Sequence, residues 1–548
     1  MSKFEMEKDP VKLLKKVLGV AFLTGVLVTA TFATKGTLSQ SPKKPRPNII
    51  LILTDNQSYG MAACYGNKAF ITPNMDRLAS EGIQFNYCFS THGMSSPTRA
   101  SILTGLIPSQ HGVHFALYDE EDQIDKWPKD WCAIEEFRNL PQTLHEAGYT
   151  TTLIGKYHLG LPWKPQLNFD HWVTFPTGHT TSFYNNEIID NGKRYRYPGH
   201  LTDFWTKKAI EYIRAQKKSS KPFFLYLTYN GPYAIPPAIL LDPPNEYDKL
   251  YVGKEEQISP REPIHEYLLT AMGEYPPTNF FVKREHPQLW QLPWGAAMAL
   301  NNKYAIRRTA AEVTKVDEGM GKVLKALKEA GLDENTLVIW SSDQGVAYGQ
   351  NGLWCQAFIT DPSNLYDFQV RVPLVFRQTG KIKPGLRSDL LVSEYDFFPT
   401  LLDYIGLGDI KIDSTPGKSY APLLMGRKLN WEGRDAVFFE EEQSRAVRTD
   451  KWMYCKRYPG MGPEELYDMT KDPKQKKNLA KDPKYAKVKK ELEEKLDSFF
   501  AEYANPKYDL WKGGTVKSNT GYPKWYLLWP HWGAEVKKIG MPFTGLTD

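Results

Sequence analysis

Cysteine is scarce in this sequence and scattered. Cys64, Cys88, Cys132, Cys355 and Cys455 form no CxxC pair, which argues against a zinc or dithiol redox site. The odd count leaves at least one thiol free or intermolecular if the chain is exported. No basic block is present, and the net charge is only +6 over 548 residues. No nucleic-acid partner is therefore expected, although a locally positive pocket for an anion stays compatible with this balance. Internal repeats are absent, which excludes a solenoid.

A long, pure apolar run is also missing. The nearest approach is 17–33, which Gly19, Thr24, Gly25, Thr29 and Thr31 interrupt. It is shorter than the ~20 apolar residues a spanning helix needs. Lys12, Lys15 and Lys16 precede it, and small residues close it at Ala30 and Ala33. Residues 1–33 read as a signal peptide cleaved, for example, after Ala33, with an uncleaved anchor as the alternative. The membrane is a partner only in that second case. The expected address is periplasmic or secreted. Residues 34–46, rich in Ser, Pro and Lys, read as a linker. Aromatics reach 13%, with 15 Trp and 31 Tyr; a large core uses them more often than a sugar-stacking surface does.

Four continuous apolar runs end in polar residues: 47–54 before Asp55-Asn56, 149–154 before Gly155-Lys156, 223–229 before Asn230, and 337–340 before Ser341-Ser342-Asp343. Continuous apolarity suits strands buried on both faces. Helical patterns at 74–81, 141–147, 204–215 and 303–330 alternate with them. The expected fold is α/β, a large mostly parallel sheet sandwiched by helices, with ligands beyond the carboxyl ends of the strands. From 436 the texture changes to short strands (436–440, 444–449, 452–456, 465–468) and a charged helix at 484–503. The tail 504–548 carries Trp511, Trp525, Trp529 and Trp532, and 236–294 is a Pro-rich insertion that could bear specificity.

Ser95-Ser96-Pro97-Thr98-Arg99 opens a further helical segment. Pro97 fits the first turn, where its missing N–H costs nothing. Ser95 then stands at the positive end of the helix, and Arg99 lies one turn on along the same face. A hydroxyl, a guanidinium and a helix N-terminus suit an oxyanion such as sulfate or phosphate. Taken alone, a capped surface helix would carry the same letters. Asp55-Asn56 and Asp343-Gln344, together with the Ser95 oxygen, make an all-oxygen donor set, which suits Ca²⁺ or Mg²⁺ rather than zinc. Either pair alone would be an ordinary turn signal.

The Ser95 motif, the two bracketing pairs and Gly155-Lys156-Tyr157-His158-Leu159-Gly160 together resemble the type I sulfatase family of the alkaline phosphatase superfamily. Thr72-Pro73-Asn74-Met75-Asp76-Arg77-Leu78, 396–402 and Leu466-Tyr467-Asp468 fit as well, so the likeness runs from about 47 to 500. It implies an alkaline-phosphatase-like catalytic domain over 47–435 and a smaller antiparallel sheet plus helix over 436–503. It implies hydrolysis of a sulfate ester, on a carbohydrate or other extracellular compound. Ser95 would be oxidised to formylglycine by a maturation enzyme and act as nucleophile, and Arg99 would orient it. Lys156 would neutralise sulfate oxygens, and His158 would hydrogen-bond the nucleophile's second oxygen. Asp55, Asn56, Ser95, Asp343 and Gln344 would hold Ca²⁺, with Mg²⁺ as the alternative.

Two positions break the family pattern. Where the family has Asn-x-Pro-His, this chain has Asn230-Gly231-Pro232-Tyr233. Tyr233 can donate a proton, but its ordinary pKa of about 10 is far from that of a near-neutral acid. Where the family has a sulfate-binding Lys, Gln356 stands. His92, His179 and Lys303 are candidate substitutes. Two alternatives are a phosphodiester or phosphonate hydrolase of the same superfamily and a weakly active paralogue that binds sulfated glycans.

Overall fold

The computed structural model describes residues 46–117, 131–176, 178, 180–263, 296, 300–360, 363–431, 434–459 and 462–517. The expected signal peptide 1–33, the linker up to residue 45, His179, residues 264–294 of the Pro-rich insertion and the tail beyond 517 lie outside the described residues.

The strands of the main sheet are β1 (Asn48–Asp55), β2 (Ile83–Phe89), β3 (Thr150–Gly155), β4 (His171–Thr174), β5 (Asn186–Asp190), β6 (Lys193–Tyr197), β7 (Phe223–Pro232) and β8 (Thr336–Ser342). After the short pair β9 (Ala347–Tyr348) and β10 (Trp354–Cys355), the main sheet adds β11 (Arg371–Arg377) and β12 (Leu386–Ser393). Their order is β12-β2-β11-β8-β1-β7-β3-β4-β5-β6. The expected mostly parallel sheet is present, and only β11 and β5 run against the rest. Pro373 has no N–H to give a neighbour, and the β11–β2 register shifts between Val372 and Leu374.

β1 shows why these strands are apolar throughout. Ile49, Leu51 and Leu53 pack into one core with Leu103, Leu140 and Phe398. Ile50 and Ile52 point the other way, to Leu78, Trp205 and Met320. The helices α1 (Pro73–Ser80), α2 (Ser95–Thr104), α3 (Leu140–Glu146), α4 (Leu201–Ala215), α5 (Lys303–Glu329) and α6 (Phe397–Tyr404) cover the two faces. α1, α4 and α5 lie on one face, and α2, α3 and α6 on the other.

A second sheet, β13 (Ala436–Glu441), β14 (Ser444–Thr449), β15 (Trp452–Arg457) and β16 (Glu465–Asp468), is an antiparallel meander. α7 (Ala486–Tyr503) packs on it, with the Phe438 and Phe499 rings stacked at 3.9 Å. All five cysteines are free thiols.

Candidate active site

The adjacent strands β8, β1, β7 and β3 deliver their carboxyl ends to one place. Asp55 closes β1, Asp343 follows β8, Lys156 follows β3 and Tyr233 follows β7. α2 begins at Ser95, and all ten of its residues are buried. Gly105 caps it in the left-handed conformation, its N–H reaching Ser101 O at 2.8 Å, a position that glycine adopts without strain.

The Ser95 hydroxyl donates to Asp343 Oδ2 at 2.6 Å and lies 3.1 Å from Asp55 Oδ1. It accepts from Lys156 Nζ at 2.9 Å and from Gln344 Nε2 at 3.3 Å. Lys156 Nζ also meets Asp55 Oδ2 at 2.7 Å. Arg99 reaches Asp343 Oδ2 with Nε at 3.1 Å and Nη2 at 2.7 Å, and Lys156 O with Nη1 at 3.1 Å. Two acids and two bases thus balance one another around one hydroxyl, each at most 1% exposed.

Burial sets the titration of this group. It pushes Asp55 up to about 6, against the opposing pull of Lys156. Burial also raises Asp343, but Arg99 and then Lys156 more than offset that and hold it below the usual carboxylate range. Burial lowers Lys156, and Asp55 opposes the shift. The low-dielectric setting therefore keeps a strong, fixed field at the Ser95 oxygen.

Asn56, at positive φ, carries its side chain to the same point, where its Oδ1 accepts from Gln344 Nε2 and, at 2.9 Å, from Gln356 Nε2. The Asn56 Nδ2 atom is buried without a hydrogen-bond partner. An amide with one end orphaned, beside two carboxylates and a second amide, fits a set whose oxygens turn toward a hard dication.

Of the remaining candidates, Tyr233 and Gln356 border this group. Tyr233 donates its N–H to Asp55 O at 3.1 Å and presents its ring face to Lys156 Nζ, 5.4 Å from the centroid. Gln356 attaches to Asn56. His158, also at positive φ, is buried against Gly178. His92 is buried beside Glu441, and Lys303 is exposed at the start of α5; neither joins the charged group. The sequence reading missed Thr228, whose hydroxyl holds Lys156 O at 2.7 Å. A polar residue inside an otherwise apolar strand was its only signal.

The family model described as Sulfatase matches residues 47–407. The chain belongs to the sulfatase family. It is a sulfuric ester hydrolase, and sulfatases generally use a formylglycine and a divalent cation. A second family model, N-sulphoglucosamine sulphohydrolase, C-terminal, matches 358–502. An N-acetylglucosamine-6-O-sulfatase of Bacteroides thetaiotaomicron is 29% identical over 516 residues, covering 85% of this chain and 88% of the relative. An N-acetylgalactosamine-6-sulfatase of Canis lupus familiaris is 26% identical, covering 75% of this chain and 72% of the relative. A solved sulfatase-fold structure, in complex with its substrate D-glucosamine-2-N,6-O-disulfate, superposes with a TM-score of 0.64 at 26% identity. It covers 85% of this chain and 99% of its own.

Proposed function

We propose that this sulfatase removes a sulfate ester from a carbohydrate, with residue 95 as nucleophile. The observation that carries the reading is the buried Ser95 oxygen held between Asp55, Asp343 and Lys156. The relatives named for 6-O-sulfated amino sugars make such a sugar the first substrate to test.

Oxidised to formylglycine by a maturation enzyme, position 95 would supply, as the hydrate, one oxygen to attack sulfur and another to expel sulfate without a second hydrolysis. Asp55, Asn56, Asp343 and Gln344, with the residue-95 oxygen, would hold the cation. We take it to be Ca²⁺ because the donors are all oxygen, and it would supply charge stabilisation at the sulfate. Arg99 fixes Asp343 and so orients the nucleophile. Lys156 neutralises charge building on the sulfate oxygens. His158 supports the nucleophile, Tyr233 protonates the leaving oxygen, and Gln356 takes the substrate contact that a lysine would make. The protein works outside the cytoplasm, after its leader is removed.

The test pairs two measurements on protein coexpressed with a maturation enzyme. Mass spectrometry of the Ser95 peptide is expected to show the aldehyde. Sulfate release is expected from 6-O-sulfated amino sugars, lost in Ser95→Ala and reduced in Tyr233→Phe more for sugar than for aryl sulfates. An oxidised protein that releases no sulfate from any sulfated sugar refutes the proposal.

A further inference from the structure

A second group of metal-donor side chains lies outside the Ser95 centre. His92 sits between β2 and α2, in the link that leads into Ser95. Glu441 ends β13, and Glu442 follows it in the turn to β14. The three residues thus tie the loop that presents the nucleophile to the second sheet. All are buried, with His92 fully so and the two glutamates 1% exposed.

One donor atom from each lies within 4.8 Å of the other two. His92 Nδ1 is 3.1 Å from Glu441 Oε1, yet the approach is not aligned as a hydrogen bond. Among the described residues neither ring nitrogen of His92 finds a hydrogen-bond partner. A fully buried imidazole whose ring nitrogens make no aligned hydrogen bond carries a desolvation cost that a bound species would lower. Glu441 is held in place by Gly93, whose N–H donates to Oε1 at 3.0 Å, the kind of outer contact that orients a metal ligand. The neighbouring Glu440 has a different role: it accepts from Ser109 N at 2.7 Å and faces Arg445.

The donor chemistry selects the ion. One imidazole nitrogen and two carboxylates make a mixed N/O set. Calcium favours oxygen alone, whereas zinc and its first-row neighbours accept this mixture. Tetrahedral zinc needs donors about 3.4 Å apart, and the three donor atoms here stand within 4.8 Å of one another. We propose that His92, Glu441 and Glu442 form a second, structural metal site for a borderline dication such as Zn²⁺. Its function is to clamp the β2–α2 link to the β13–β14 turn. The proposal stands apart from the chemistry assigned to Ser95.

The experiment uses the full chain, equilibrated with excess Ca²⁺ to fill the oxygen-only centre, then with ZnCl₂, then washed and analysed by elemental mass spectrometry. Wild type is expected to retain about one zinc per chain. Folded His92→Ala and Glu442→Gln are expected to lose it. Absence of retained zinc in wild type, or equal zinc in wild type and a folded variant, overturns the site. Zinc-edge X-ray absorption on wild type tests the same claim without any variant. A nitrogen/oxygen shell with one imidazole supports it, and a sulfur shell or a shell without imidazole refutes it.

Discussion

Ser95 and Asp343, 248 residues apart in the chain, meet at 2.6 Å on Oδ2 of the carboxylate. Arg99 reaches that same oxygen with Nη2 at 2.7 Å. One buried atom therefore fixes both the nucleophile and the guanidinium one turn behind it. Asp343→Asn removes the nearer counter-charge of buried Arg99 and leaves it only Asp55, 4.0 Å from Nη2. We expect a loss of roughly 3–5 kcal/mol of stability in denaturant unfolding, together with loss of sulfate release. An unchanged unfolding midpoint would contradict this account of the pair.

Lys156 carries the positive charge nearest the Ser95 oxygen. Lys156→Met keeps the length of the side chain and removes the charge. Turnover is expected to fall roughly 10²–10³-fold, the usual cost of one preorganised stabilising donor. Steady-state sulfate release reads it, and a variant within a few-fold of wild type refutes the assigned role.

Acid should weaken cation binding. Burial lifts Asp55 to about 6, so the carboxylate takes up a proton as pH falls through that value, and the proton competes with the dication. Calorimetric titration with Ca²⁺ on either side of pH about 6 is expected to show weaker binding on the acid side. Equal affinity at both would remove Asp55 from the ligand set.

A buried histidine makes the fold itself acid-sensitive. His114 donates from Nε2 to Tyr508 O at 2.8 Å, and burial lowers its pKa from 6.5 to about 4. Between those values the unfolded chain binds the proton and the native protein does not. Stability is therefore fully present above pH 6.5 and drains away as pH falls toward 4. The contribution is on the order of 3 kcal/mol. Urea unfolding across this window is expected to show the decline, and His114→Gln is expected to make it shallower without abolishing it, because burial also lowers His92 and His111.

Gly155 allows β3 to approach β7 just before Lys156. Its φ is +120°, and a Cβ there would stand 1.8 Å from Thr228 O. Gly155→Ala must push β3 away from the strand that anchors Lys156. Reduced thermal stability and lowered turnover are expected together. Wild-type values in both would show that the backbone can yield there.

The central strands were legible because β1, β3, β7 and β8 are buried on both faces, so apolar residues crowd most of each run, although β3 opens on three threonines. β6, with Lys193, Arg194 and Arg196 exposed at the sheet edge, carries no such mark, and Pro373 disguises β11. The Ser95 motif was legible too, since Pro97 and the Ser95–Arg99 spacing fix a helix start and a face by local geometry alone. Which groups share the pocket was decided elsewhere. The order β8-β1-β7-β3 sets Asp343, Asp55, Tyr233 and Lys156 side by side, and it depends on crossover connections that no local pattern records. The attachment of Gln356 to Asn56, the anchoring of Lys156 by Thr228 and the meeting of His92 with Glu441 belong to the same class. Local sequence determines which residues can make an element, whereas contacts between distant elements follow from the packing of two cores around one sheet.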